Sequence, residues 1–183
     1  MEQTNQSDEK LATASLKDKR SFDILVERYT DRIWRYTSRL TGNHREAEDI
    51  TQETFLKAFV NIAGFNPKLK FSSWLYRIAH NESVNFIKKH YRHRKVAFDE
   101  TVLYTSSGEK TMFDKLIVQD DIRLARHALA HLASRDRAIL ELAFFEDKSY
   151  LEIADILKIA VNSVGPSIHR AKGKMKKICE EIK

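Results

Sequence analysis

Residues 22–40 place Phe22, Leu25, Val26, Tyr29, Ile33, Tyr36 and Leu40 at three- and four-residue steps. That spacing lays one apolar stripe along an α-helix, whereas a half-buried strand would alternate every second residue. Such a stripe must be buried against other helices. The same period returns through Ala47, Ile50, Phe55, Ala58, Phe59 and Ile62, ending near Gly64, and through Trp74, Leu75, Ile78, Ala79 and Phe86 to about His90. Gly42 is a stop signal, and Asn43 with Glu46 has the form of a capping box. "GFNPKLKF" is a short loop, after which Ser72 or Ser73 can cap the third helix.

The pattern weakens over 96–121, where Asp99, Glu100, Glu109, Asp114, Asp120 and Asp121 face only Lys110 and Lys115. This segment reads as a flexible acidic linker. Helical spacing resumes at Ile122, Ala125, Leu129 and Leu132. Ser134 is positioned to cap a helix holding Ile139, Leu142 and Ala143, and Ser149 with Glu152 opens "YLEIADIL" as another capping box. With 5 Gly and 2 Pro in 183 residues, a turn-rich β fold is disfavoured. The expectation is an all-α chain of two helical domains. Residues 1–21 form a tail and the start of the first helix, 22–94 the first domain, 95–121 the linker and 122–183 the second domain.

The formal net charge is +6, so its distribution matters more than its sum. Cys179 is the single cysteine; it allows no internal disulfide and suits a reducing compartment. The polar start "MEQTNQSDEKLATAS" lacks a signal-peptide core, and no apolar run approaches membrane-spanning length. These features imply a soluble cytoplasmic protein with no direct membrane insertion.

The stretch "SYLEIADILKIAVNSVGPSIHRAKGKMKKI" has the form of a helix-turn-helix. Its second helix carries Val164, Ile168, Ala171, Met175 and Ile178 on one side. Asn162, Pro166, His169 and Gly173 lie opposite, flanked by Arg170, Lys174 and Lys177. A recognition helix needs this division: an apolar face to hold it and a polar, cationic face for the major groove. An ordinary surface helix pair has the same pattern, so spacing alone leaves both readings open.

Two further patches carry chemistry. Between 65 and 95, Lys68, Lys70, Arg77, Lys88, Lys89, Arg92, Arg94 and Lys95 stand against Glu82 alone, interleaved with Phe65, Phe71, Trp74, Tyr76, Phe86 and Tyr91. Cations that follow a phosphate backbone beside rings that stack on bases suit single-stranded or melting DNA. Trp74 and Phe86 fit the core better. Phe65, Phe71, Lys68 and Lys70 are the better contact candidates. The preceding helix is acidic, with Asp49, Gln52 and Glu53 forming a compact polar patch. Such a patch either meets a basic protein partner or is a solvated helix face.

These pieces in this order resemble the extracytoplasmic-function (ECF) group of bacterial sigma-70 family factors. "AEDITQETFLKAF" resembles the region 2 segment that binds core RNA polymerase, and "FSSWLYRIAHNESVNFIKK" the segment that melts and reads the −10 element. "LASRDRAILELAFFEDKSYLEIADILKIAVNSVGPSIHRAKGKM" is similar to region 4, which reads the −35 element. The resemblance implies that Asp49, Gln52 and Glu53 contact core polymerase. It places the loop 65–71 (with Phe65, Asn66, Lys68, Lys70 and Phe71) where a base flipped from the non-template strand is captured. Arg77 and Asn81 then face −10 DNA, and Lys88, Lys89 and Arg92 hold phosphates. Ser163, Gly165, Pro166, Ser167, His169, Arg170 and Lys174 are assigned to duplex −35 DNA. The resemblance also implies an anti-sigma factor as partner and a linker threaded toward the RNA exit channel. No Ser/His/Asp arrangement or phosphate-cradling Gly-rich loop appears, so no enzymatic activity, cofactor or small-molecule substrate is expected of the chain itself.

Two departures from the family's pattern stand out. Lys158 and Ala160 occupy the turn where the family usually has Gly and often Pro soon after. A non-glycine residue in a left-handed turn costs ~1 kcal/mol. Gly165-Pro166 stands where many relatives have a basic residue followed by Ser. With Asn162 or Ser163 as cap, Pro166 would fall in the first turn, where no hydrogen bond is lost. Pro166 is then expected to make an apolar contact, for example to a thymine methyl, with base hydrogen bonding shifted to His169 and Arg170.

Two rival functions fit parts of this pattern. A one-component transcription regulator with a helical sensor domain would bind duplex DNA without polymerase. A helical metal-dependent hydrolase would use His80, His90 and His93 with Glu82, but no carboxylate stands at a matching ligand position. The aromatic–basic strip and "DITQETF" argue against the first rival.

Overall fold

The computed structural model describes residues 6–91, 124 and 127–182. It contains helices and connecting turns, and no strand among the described residues. The helices are α1 (Asp8–Ala14), α2 (Arg20–Thr41), α3 (His44–Asn61), α4 (Phe71–Tyr91), α5 (Ser134–Phe144), α6 (Tyr150–Leu157) and α7 (Val161–Ile182), with a 3-10 turn at Ile62–Gly64. Residues 127–131 are also helical. The linker 95–121, Arg92 and His93 lie outside the described residues, as do the side chains of His90 and Tyr91.

The first half is a bundle of α2, α3 and α4 with α1 laid across it. The stripe read from α2 is its spine: Leu25, Ile33, Tyr36 and Leu40 have no measurable exposure. Gly42 ends α2 at φ 74°, a conformation that favours glycine, and the Asn43 side chain accepts from the Arg45 and Glu46 amides to start α3. Residues 8–14, assigned from sequence to the tail and the start of the first helix, form a separate helix. Leu11 and Ala12 are buried, and Asp8 reaches Arg28 Nη1 and the Tyr29 hydroxyl, each at 2.5 Å.

Three helix starts differ from expectation. Helix α4 begins at Phe71, ahead of both serines, and the Phe71 amide donates to Glu9 Oε1 of α1 at 3.2 Å. A carboxylate from another helix therefore does the work assigned to Ser72 or Ser73. Ser134 lies inside α5, after Ala133, which makes no side-chain cap. Helix α7 begins at Val161, so Pro166 is its sixth residue and offers no N–H to the Asn162 carbonyl one turn back. The first-turn placement of Pro166 is thus corrected: the helix tolerates it in its second turn.

In the second half, α6 and α7 cross over α5. The capping box at Ser149 and Glu152 is complete. Lys158 closes α6 in the left-handed region, φ 52° and ψ 51°, and the Ile159 amide donates to the Ala154 carbonyl at 3.1 Å. The strained non-glycine turn expected from sequence is present. Ile153, Ile156, Val164 and Ala171 pack this pair together.

Candidate nucleic-acid interface

The reading helix is built by burial on one side. Val164, Ile168 and Ala171 face α5 and α6, and this turns Asn162, Ser163, Pro166, His169, Arg170, Gly173 and Lys174 outward. Ser167 is half-buried and accepts from Arg170 Nη2 at 3.1 Å, which steers that guanidinium along the helix. Lys174 pairs with Asp136 of α5 at 2.6 Å. The outward face is polar and cationic, runs along a helix of 22 residues, and apart from the Lys174–Asp136 pair is exposed.

Gly165 has a specific neighbour. A Cβ placed there would meet Tyr150 Cε2 at 3.4 Å and the Tyr150 hydroxyl at 3.9 Å. The ring of the first α6 residue lies on α7 where a longer side chain would otherwise emerge.

The second cationic surface runs along the loop 65–70 and α4. Asn66, Lys68, Lys70, Asn81, Lys88 and Lys89 are exposed, and the Asn66 side chain accepts from the Lys68 amide at 3.0 Å, folding the loop on itself. The two aromatic candidates are corrected. Phe65 is 8% and Phe71 0% exposed, in edge-on contact with each other and against Trp74. Their rings support the loop and have no free face for a base. Trp74 and Phe86, read as core, are each only half-buried.

Two cations of this strip are engaged by the second half of the chain. Arg77 Nη1 lies 3.1 Å from Asp155 Oδ1, and Lys70 Nζ 3.4 Å from Glu152 Oε1. Both acids belong to α6, which packs directly on α4. Behind them sits a buried polar knot. Arg39 of α2 donates to Glu141 of α5 and to Glu146 beyond it, and the Tyr76 hydroxyl donates to Glu146. The buried Arg137 donates to the Leu40 carbonyl of α2 at 3.0 Å and to the Leu129 carbonyl at 2.8 Å. Burial pushes the Glu141 carboxyl up to about 7, against the pull of Arg39. Burial also pushes His80 down to about 4, where its ring nitrogen meets the Tyr36 hydroxyl at 3.0 Å. No sequence signal marks this knot, because its members are distant in the chain and individually ordinary.

The acidic patch lies on the exposed face of α3. Asp49, Gln52 and Glu53 are exposed. With Glu46, Ile50, Glu82, Asn85, Phe86 and Lys89 the two acids line a groove of about 340 Å³ between α3 and α4. Lys57 bridges Glu82 at 2.6 Å and Glu53 at 3.4 Å, fixing the groove's edge. Its floor of Ile50 and Phe86 under a carboxylate rim suits a cationic side chain with an apolar stem.

A helix-turn-helix with a free cationic face, beside a bundle with one acidic and one basic surface, is specific enough to compare with known proteins. Residues 25–93 match the family model Sigma-70 region 2, and residues 122–175 match Sigma-70, region 4. The ECF RNA polymerase sigma factor SigW of Bacillus subtilis (strain 168) is 33% identical over 175 residues, covering 90% of this chain and 92% of that protein.

This chain belongs to the ECF group of the sigma-70 family. As a sigma factor it directs transcription initiation at promoters. RNA polymerase sigma factor YlaC from the same organism is 29% identical over 164 residues, 88% of this chain and 94% of that one. Among solved structures, CnrH in complex with the cytosolic domain of CnrY covers 96% of this factor and 99% of that chain, at a TM-score of 0.71 and 22% identity. The sigma factor RpoE in complex with the anti-sigma factor NepR from Bartonella quintana gives 0.67 and 20%, covering 87% and 96%. These two share the fold. Among the described residues no helix is long and apolar enough to cross a membrane, and no group of three or more His, Cys, Asp or Glu is placed to hold a metal.

Proposed function

We propose that the factor divides its three surfaces among three tasks. Asp49, Gln52 and Glu53 dock the acidic face of α3 on core RNA polymerase. The outward face of α7 enters the major groove at −35. Asn66, Lys68, Lys70, Arg77, Asn81, Lys88 and Lys89 hold the −10 strand, with Phe65 and Phe71 as internal supports of the capturing loop. Arg92 extends this set beyond the described residues. The observation that carries the reading is the separation of charge: the acidic groove and the cationic reading helix are both exposed and lie on different elements. A one-component regulator would leave that groove without a purpose.

Geometry adds a requirement. The −35 and −10 elements are about 25 base pairs apart, roughly 85 Å at 3.4 Å per step. A folded chain of this size has a radius of gyration of about 16 Å. One compact body cannot read both, and Arg77 cannot hold a phosphate while paired with Asp155. In this proposal polymerase binding separates the halves, and the linker spans the gap. Melting follows from tighter binding to the open strand, with no hydrolysis by this chain, which works in the cytoplasm. The neighbour solved with the anti-sigma factor NepR supports an anti-sigma factor as a further partner.

The test is run-off transcription with core polymerase on a promoter library, with the start sites sequenced. The expected result is factor-dependent initiation behind two shared elements. Duplex binding without any polymerase dependence would overturn the reading in favour of a one-component regulator.

A further inference from the structure

Tyr150 stands at the first position of α6, and its backbone is held by the capping box of Ser149 and Glu152. Its ring rests on α7 at Gly165, with Cε2 3.4 Å and the hydroxyl 3.9 Å from where a Cβ would be. Yet the residue remains 53% exposed, and its hydroxyl has no hydrogen-bond partner among the described residues. By helical spacing the neighbours of Gly165 on α7 include Val161, Asn162, Pro166 and His169, all exposed.

Helical geometry sets its direction. At 100° per residue, Asn162, Pro166, His169 and Gly173 define the centre of the outward face, and Gly165 lies roughly 75° to one side. The ring therefore flanks the reading face. Gly165 has no side chain and Pro166 no hydrogen-bonding group, so α7 itself brings no donor or acceptor side chain to these two positions. The Tyr150 hydroxyl can donate and accept, and its ring edge can pack on a thymine methyl.

We propose that Tyr150 is a −35 specificity residue that reads base edges in the place left open by Gly165. A Cβ at 165 would sit in ordinary contact with the ring, and a long side chain there would compete with Tyr150 for the same edge of the reading face. This proposal rests on the reading of α7 as the −35 helix. It differs from that reading in locating part of the base recognition on α6, the helix before the recognition helix.

The experiment uses holoenzyme made from core polymerase and the full chain, bound to promoters with a randomised −35 element. Wild type, Tyr150→Phe, Tyr150→Ala and Gly165→Arg are compared, with circular dichroism melts as the control for folding. Tyr150→Ala is expected to lose roughly tenfold in preference at one or two adjacent base positions, the remaining positions keeping theirs. Gly165→Arg is expected to change preference at the same positions. Tyr150→Phe keeps the packing and loses only the part due to the hydroxyl. Unchanged preferences in Tyr150→Ala, or a weakening uniform over all sequences as a phosphate contact or a folding defect would produce, overturns the proposal. If wild-type holoenzyme itself shows no −35 preference, the underlying assignment of α7 fails instead.

Discussion

Arg77 and Asp155 form an ion pair at 3.1 Å between α4 of the first half and α6 of the second, at 20% and 32% side-chain exposure. One residue belongs to the surface proposed for −10 DNA, the other to the first helix of the helix-turn-helix. The pair, with Lys70 and Glu152 beside it, joins the two halves through two cations of that surface.

Reversing the acid should undo that joint. Asp155→Arg places two guanidinium groups face to face where screening is incomplete. The expected outcome is a larger radius of gyration by small-angle X-ray scattering, together with a several-fold gain in affinity for a single-stranded −10 oligonucleotide. A variant that scatters like wild type would show that the polar knot around Arg39 holds the halves closed without this pair.

Asp49→Arg tests the polymerase face. The substitution inverts charge at the rim of the groove between α3 and α4, away from the interior of the bundle. Affinity for core polymerase is expected to fall by roughly thirtyfold or more, with the melting temperature unchanged. Undiminished binding would move the docking site elsewhere. In the assembled holoenzyme, Asn81→Ala should impair strand opening more than closed-complex binding, as read by permanganate reactivity of −10 thymines.

The two buried titrating groups predict opposed pH effects. Glu141 titrates at about 7 in the folded chain against 4.5 for the ordinary group, so folding takes up a proton between those values. Acidification through that window therefore stabilises. His80 titrates at about 4 against 6.5, so folding releases a proton and acidification from 6.5 downward destabilises. In the wild type the two nearly cancel between pH 6.5 and 4.5. Glu141→Gln should leave the His80 effect, losing on the order of 2 kcal/mol as pH falls from 6.5 to 5. His80→Gln should leave the Glu141 effect and become more stable from pH 7 to 5. Urea midpoints measured across that range decide it; the same slope in both variants would refute the assignment.

Lys158→Gly should stabilise the fold. Lys158 is 62% exposed at its side chain and sits at φ 52°, where a Cβ is strained. Removing the strain is worth about 1 kcal/mol, partly offset by glycine's greater freedom when unfolded and by the loss of the exposed pair with Asp155. A net gain of about 0.5 kcal/mol in denaturant midpoint is expected, with promoter preference unchanged.

Legibility in the sequence followed the range of the forces involved. The α2 stripe, the Asn43 and Ser149 caps and the Lys158 turn depend on residues within one or two helical turns, and all were visible in the spacing. The start of α4 was not, because the group that meets the Phe71 amide is Glu9, sixty-two positions away. Phe65 and Phe71 were misjudged for the same reason: a loop aromatic beside lysines looks exposed until α1 and Trp74 are seen to cover it. The Gly165-Pro166 pair is a visible departure from the family's pattern, but the Tyr150 ring beside Gly165 could not be found by periodicity.

Taken alone, the sequence determined the helices, their apolar faces, the helix-turn-helix and the acidic and basic surfaces, since hydrophobic period, capping and charge are local properties of the chain. Only the tertiary structure decided which of those charges are free. Packing α6 on α4 pairs Lys70 and Arg77 with Glu152 and Asp155, and packing α7 on α5 pairs Lys174 with Asp136 while the rest of the outward face of α7 stays exposed, because a charge is satisfied by whichever opposite charge the fold brings within reach.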